Sequence, residues 1–157
     1  VHQKIHPEAE LIRKTVILRQ LDLPPSVAMT KRALLRWVAL SLGLISPGES
    51  RSTMLAVLDG LFYFQFKEKR AVSVLELKEF LRQHHGIETS EKLVRYHLSK
   101  LSSLELIRKK KNLYSFNAAP HAERDDVGAA IEYWIGEHTT RIVKEIANTT
   151  RLLTEKY

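Results

Sequence analysis

The chain has 157 residues, of which 27% are charged and 44% hydrophobic, and a formal net charge of +7. That hydrophobic content is enough for a real core, and the length suits one domain with an extension or two small domains. The absence of cysteine excludes a disulfide framework, a zinc finger and a thiol nucleophile. No apolar run approaches bilayer length and no signal-peptide pattern opens the chain, so a soluble, cytoplasmic protein is expected. The charge is uneven. Residues 1–28 carry a net +1, residues 29–119 a net +8 and residues 120–157 a net −2. An excess confined to the middle of the chain is the electrostatic footprint expected of a nucleic-acid-binding segment.

Residues 1–28 read as an N-terminal arm or helix. Pro7, Glu8 and Glu10 can start a helix, with the acids at the favourable end of its dipole. Thr15 to Leu18 reads equally well as a short strand, and Leu23-Pro24-Pro25 ends whatever precedes it. Thr30 can cap a helix over Lys31–Leu42 that Gly43 closes. Its Leu34, Leu35, Trp37, Val38, Ala39 and Leu40 predict burial on most sides. Ser46-Pro47-Gly48 is a turn. Ser52 caps the next helix, to about Phe66, whose aromatic run Phe62–Phe66 reads as core rather than as a base-stacking platform. Ala71-Val72 is a candidate short strand.

Ser73 with Glu76 is a capping-box pattern. It opens a helix whose Val74, Leu77, Leu81 and His84 share a stripe, with Phe80 beside it. Gly86 can stop that helix in a left-handed conformation. Ile87 plugs the turn, and Thr89 or Ser90 caps a further helix. This helix gathers Leu93, Val94, Leu98, Leu101 and Leu104 on one side. Lys92, Arg95, Tyr96, Ser99 and Ser103 lie opposite, and His97 lies at the edge of the apolar side. Ile107 to Phe116 reads as strand, basic tip, strand. Asn112 suits a tight turn, and Tyr114 and Phe116 share one face of the ribbon. After a break at Asn117–Pro120, a long helix is expected from about Glu123 toward Tyr157. Val127, Ile131, Trp134 and His138, then Ile142, Ile146, Thr149 and Leu153, have four–three–four spacings. The spacing predicts a homodimer interface through Val127, Ile131, Trp134, His138, Ile142, Ile146 and Leu153, with Trp37 contributing. The competing expectation folds this helix back on its own domain, with a break near Gly136–Thr140.

Residues 73–117 as a unit outline a helix-turn-helix with a basic hairpin after it. Val94-Arg95-Tyr96-His97-Leu98-Ser99-Lys100-Leu101, then Leu104-Glu105-Leu106-Ile107 and the basic hairpin, resembles the recognition helix and wing of winged-helix transcription regulators of the MarR, ArsR, PadR and archaeal types. The resemblance spans roughly residues 50–118 and rests mainly on a spacing of leucines. It departs at Glu105, where those families commonly have glycine. The expected fold is mainly α with a small β-hairpin wing: a winged helix-turn-helix over residues 29–119 with additional N-terminal helices, and a long C-terminal dimerisation helix over residues 120–157.

The expected partner is double-stranded DNA. Ser90, Lys92, Arg95, Tyr96, Ser99 and Lys100 would approach the major groove. Arg108, Lys109, Lys110, Lys111 and Asn112 would hold the adjacent backbone or minor groove. The competing expectation is a protein-interaction module of a replication, transcription or chromosome-organising complex, with an unidentified protein partner. No cofactor is expected. The seven histidines show no metal-ligand spacing, and no nucleophile elbow, phosphate loop or dinucleotide fingerprint occurs, so no enzyme activity is expected.

Overall fold

The structure is a computed structural model and describes residues 7–50 and 52–157. It contains helices α1 (Glu8–Leu11), α2 (Pro25–Ala28), α3 (Lys31–Ser41), α4 (Thr53–Phe66), α5 (Val74–His85) and α6 (Glu91–Ser103). Strands β1 (Ile107–Lys110) and β2 (Leu113–Phe116) come next, and then the long helix α7 (Val127–Thr154).

Helix boundaries obey the capping chemistry. The Thr30 hydroxyl accepts from the Ala33 amide, Ser52 from Leu55, and Ser90, rather than Thr89, from Leu93. The capping box of Ser73 and Glu76 is complete in both directions. Gly86 ends α5 in the left-handed conformation, and its amide and that of Ile87 reach back to Arg82 and Leu81. Asp126 caps α7, so this helix begins four residues later than its pattern suggests. It then runs unbroken through Gly136–Thr140.

One core joins α4, α5, α6 and the hairpin. Val57, Leu61, Leu77, Leu81, Val94, Leu98 and Leu101 are almost completely buried in it. Helix α4 is apolar around most of its circumference because it sits at the centre. Gly60 lies where α4 meets α5, and a Cβ there would come within 2.7 Å of the Leu77 side chain and 3.1 Å of Phe80. The aromatic run divides accordingly. Phe64 is buried, Phe62 and Tyr63 are half-buried, and Phe66 opens to solvent.

The hairpin pairs Ile107 with Phe116, Arg108 with Ser115, Lys109 with Tyr114 and Lys110 with Leu113. Its turn is Lys111-Asn112, both at positive φ, the geometry that matches the twist of a two-residue hairpin. Val72 adds a bridge on the outer side of β2, exchanging both backbone hydrogen bonds with Tyr114 at 3.0 and 2.8 Å.

Three sequence expectations need correction, and the departure at Glu105 finds its geometry. Leu93, in the first turn of α6, is 39% exposed. His84 stays at the core margin, stacked 4.2 Å from Phe80, and is exposed. Helix α3 is not enclosed: Ala39 is its only fully buried residue, since one face borders an open groove against α4. The missing glycine at position 105 does not extend the helix. Glu105 itself takes a φ of 61°, and Leu106 N–H returns to Leu101 C=O, so the turn keeps its shape with a strained residue in it.

The arm also has a structure that its sequence left open. Residues 12–24 lie outside any helix or strand and cross the molecule as an extended strap. Arg13 pairs with Glu145 at 2.9 Å. Arg19 donates to the carbonyls of Leu40 and Ile45 at the end of α3, and the Trp37 indole donates to Asp22 C=O. The strap passes so close to Gly43 that a Cβ there would come within 2.6 Å of Ile17.

Two substitutions test this packing by chemical denaturation. Gly60→Ala should destabilise by about 1–3 kcal/mol, because the added methyl meets Leu77 with no room to move. Glu105→Gly should stabilise by up to about 1 kcal/mol, by relieving a left-handed non-glycine residue. A loss of stability in the second variant would show that the Glu105 conformation carries no strain.

Candidate nucleic-acid interface

The cationic and polar side chains singled out in the sequence come from three elements. On α6, Lys92, Arg95, Tyr96, Ser99 and Lys100 are all exposed. They occupy the face opposite Val94, Leu98 and Leu101 because the apolar residues recur with the helical period. Arg95 is held by Glu91 at 3.3 Å, one turn back on the same helix. Lys100 Nζ lies over the Tyr96 ring, 4.7 Å from its centroid. Ser90 is committed to capping, its Oγ accepting from Leu93 N–H at 3.1 Å.

The hairpin does not present its cations as one block. By the two-residue strand period, Lys109 lies on the same face as Tyr114, its ammonium 5.9 Å from that ring's centroid. Arg108 and Lys110 lie on the opposite face, with Ser115 and Leu113. Lys111 and Asn112 form the tip.

Three elements meet at a shallow cleft of about 310 Å³. Arg95 and Glu91 of α6 form one wall, Lys109, Asn112 and Tyr114 of the hairpin form another, and Ser73, Val74 and Leu75 at the start of α5 close it. A helix N-terminus, a guanidinium and an ammonium thus border one channel, an arrangement suited to an extended polyanion. Glu91 supplies the single carboxylate in its lining. Sequence reasoning did not assign the α5 N-terminus to this cleft, although the Ser73–Glu76 capping box had located it. The opposing role of Glu91 was also missed, although its spacing of four from Arg95 signals an ion pair.

The residues expected at a dimer interface divide at the middle of α7. Val127 packs on the main core. Ile131 packs on a second cluster of Leu104, Leu106 and Ile135. The Trp134 indole donates to Asn117 C=O at 2.9 Å, and His138 is buried, with Lys14 Nζ 3.1 Å from its Nδ1. All four face their own chain, as does Trp37 through its bond to Asp22. Beyond His138 the helix leaves the core. Ile142 is half-buried, and Val143, Ile146, Leu152 and Leu153 are more than half exposed.

Two histidines titrate abnormally. Burial holds the His97 imidazole below the usual histidine range, and nearby Lys100 pushes it the same way, against Glu49. Its Nδ1 is buried without a hydrogen-bond partner. Burial also lowers His138, with Lys14 and Arg141 adding to the effect and Glu105 and the Leu104 backbone opposing it. Among the described residues, no group of three or more histidine, aspartate or glutamate side chains could hold a metal ion. No described helix is long and apolar enough to cross a membrane.

Comparison with protein-family models, with curated proteins and with solved structures found no match.

The histidine shifts set a pH dependence. Both folded-state values lie below the unfolded value of about 6.5. Below that pH the unfolded chain takes up protons that the native chain refuses, so stability present near neutrality is lost as the pH falls through the native values. The urea midpoint should therefore drop between about pH 7.5 and pH 5.5, above the range where carboxylates titrate. An unchanged midpoint would show that neither imidazole is held neutral.

Proposed function

We propose that the protein is a winged-helix DNA-binding protein that acts as a homodimer and regulates transcription. In this reading α6 is the recognition helix and the β1–β2 hairpin is the wing. The observation that carries it is the convergence of Arg95, Lys109 and the α5 N-terminus on one cleft, next to an α6 face whose polar residues are all exposed. A phosphodiester backbone in that cleft would meet two cations and a helix dipole together. The α6 side chains would then reach base edges. Breaking the Arg95–Glu91 contact costs little, since an exposed ion pair of this spacing contributes well under about 1 kcal/mol. Arg95 is therefore available to a guanine or a phosphate.

The split of the hairpin cations refines the reading. Lys109 belongs with the cleft, Lys110 and Arg108 face the other way, and Lys111 extends the tip. A duplex lying in the cleft would contact Lys109 and Lys111 more closely than Arg108. Dimerisation is assigned to the distal half of α7, where Val143, Ile146, Leu152 and Leu153 are more than half exposed among the described residues. Two copies joined there would present paired recognition helices to half-sites about one duplex turn apart. The same exposed surface supports the second reading, a protein-interaction module that meets a different protein through distal α7.

Fluorescence anisotropy with a labelled random duplex over a salt series, with the mass measured on the same sample, separates the two. A dimer whose affinity falls steeply with salt is expected. Lys109→Ala combined with Lys111→Ala should weaken binding to all sequences and reduce the salt slope by roughly 2. Arg95→Ala should instead cost about 1–3 kcal/mol of discrimination between sequences. Duplex affinity equal to wild type in all these variants would overturn the DNA reading.

A further inference from the structure

We propose that the chain binds a long-chain alkyl carboxylate in a two-compartment groove between α3 and α4, on a face separate from the cleft between α6 and the hairpin. Each helix presents one stripe to the first compartment. Lys31, Leu34, Leu35 and Val38 of α3 oppose Asp59, Phe62, Tyr63 and Phe66 of α4, each set spaced three, four and seven residues from its first member. The compartment measures about 310 Å³, and its walls are almost wholly apolar between the Lys31–Asp59 end and Lys67 at the other. Leu34 and Phe66 are each 37% exposed along it. Tyr63 turns its hydroxyl away to Glu68, 3.1 Å from Oε1, and so presents its ring.

The second compartment, of about 390 Å³, adjoins the first at Lys31, Leu35 and Asp59. It is more polar than the first, although Leu35, Leu55, Ala56 and Ile87 also line it. Lys31, Arg32, His84 and His85 border it, with Asp59 as its one carboxylate. That carboxylate is already engaged, by His85 at 2.8 Å and by Lys31 at 3.8 Å. Lys31 is mostly exposed, with its side chain 81% accessible, and Arg32 makes no ion pair among the described residues. The groove therefore offers an apolar channel with a single lysine, Lys67, at one end and, at the other, the paired cations Lys31 and Arg32, whose one carboxylate among the described lining residues, Asp59, is shared. An apolar chain with a single anionic head matches both compartments. A neutral apolar molecule would match only the first, and an inorganic anion only the second. The volumes fall at the lower end of those of small-molecule sites, which suits one alkyl chain rather than a two-chain lipid.

The test uses decanoate, decanol and hexanoate as probes, with calorimetric titration of the full chain and the mass recorded with and without probe. Decanoate is expected to bind at one per chain, about tenfold or more tighter than either decanol or hexanoate. Lys31→Ala combined with Arg32→Ala, both on the surface, should remove the advantage over decanol and leave decanol binding unchanged. Leu34→Trp should fill the channel and abolish decanoate binding while the chain keeps its thermal transition. Absence of saturable decanoate binding, or decanoate and decanol of equal affinity, would overturn the proposal. So would indifference of decanoate to the Lys31/Arg32 change. A Leu34→Trp chain of half the wild-type mass would also overturn it, because the groove would then be covered by a second copy. None of these outcomes depends on DNA binding.

Discussion

The side-chain amide of Gln65 is the polar joint on which the arrangement of the molecule turns. It is 4% exposed in the last turn of the central helix α4. Its oxygen accepts from the Phe116 amide at 2.9 Å, and its nitrogen donates to Asp125 Oδ1 at 2.9 Å. One residue thus satisfies a buried backbone donor of β2 and anchors the segment that leads into α7. Leaving such a donor unsatisfied costs about 1–3 kcal/mol. The hairpin and the segment before the long helix are therefore both fixed by one α4 side chain. The Trp134–Asn117 bond and the Asn117 side-chain bond to Glu105 C=O at 2.9 Å carry the same linkage on to the end of α6.

Much of this was legible from sequence where chemistry is local. The capping box at Ser73, the stop at Gly86 and the hairpin between Ile107 and Phe116 all depend on residues near one another in the chain. Gln65 was not legible. It sits inside an aromatic run, and its partners lie 51 and 60 residues away. Helix α3 misled for a related reason. Periodicity reports how apolar a helix is, not whether a neighbour covers each side of it, and the groove against α4 leaves one side open. Glu105 shows the reverse case. A turn required by tertiary packing is kept although its residue disfavours it, because Leu104 and Leu106 on either side are both buried and fix the path of the chain.

The candidate interface was legible as a set of residues but not as a shape. Counting cations along Arg108–Lys111 suggests a single charged tip. The pairing register distributes them over two faces and an apex, which changes how many can meet one strand of a polyanion. The long helix divides in a similar way. Its four–three–four spacing recurs on either side of the His138–Ile142 step, yet the first run packs within the chain, whereas in the second Ile142 is half-buried, Glu145 nearby pairs with Arg13, and Ile146 and Leu153 are more than half exposed. A periodic stripe records that something is covered, and only the packing shows by what.

The strap formed by residues 12–24 gives the molecule an unusual order of assembly. Synthesis runs from the N-terminus, so Arg13 and Lys14 emerge well before their partners. Those partners, Glu145 and His138, lie 132 and 124 residues later in the chain. Helices α4 to α6 and the hairpin close mostly through nearby contacts and can form while α7 is still being made. The strap has no partner on α7 until that helix has been synthesised. Its attachment therefore ties distant parts of the sequence together only after the centre has folded. The same attachment holds α7 against its own domain as far as Glu145, and the apolar residues of its last turns, Leu152 and Leu153, stay more than half exposed.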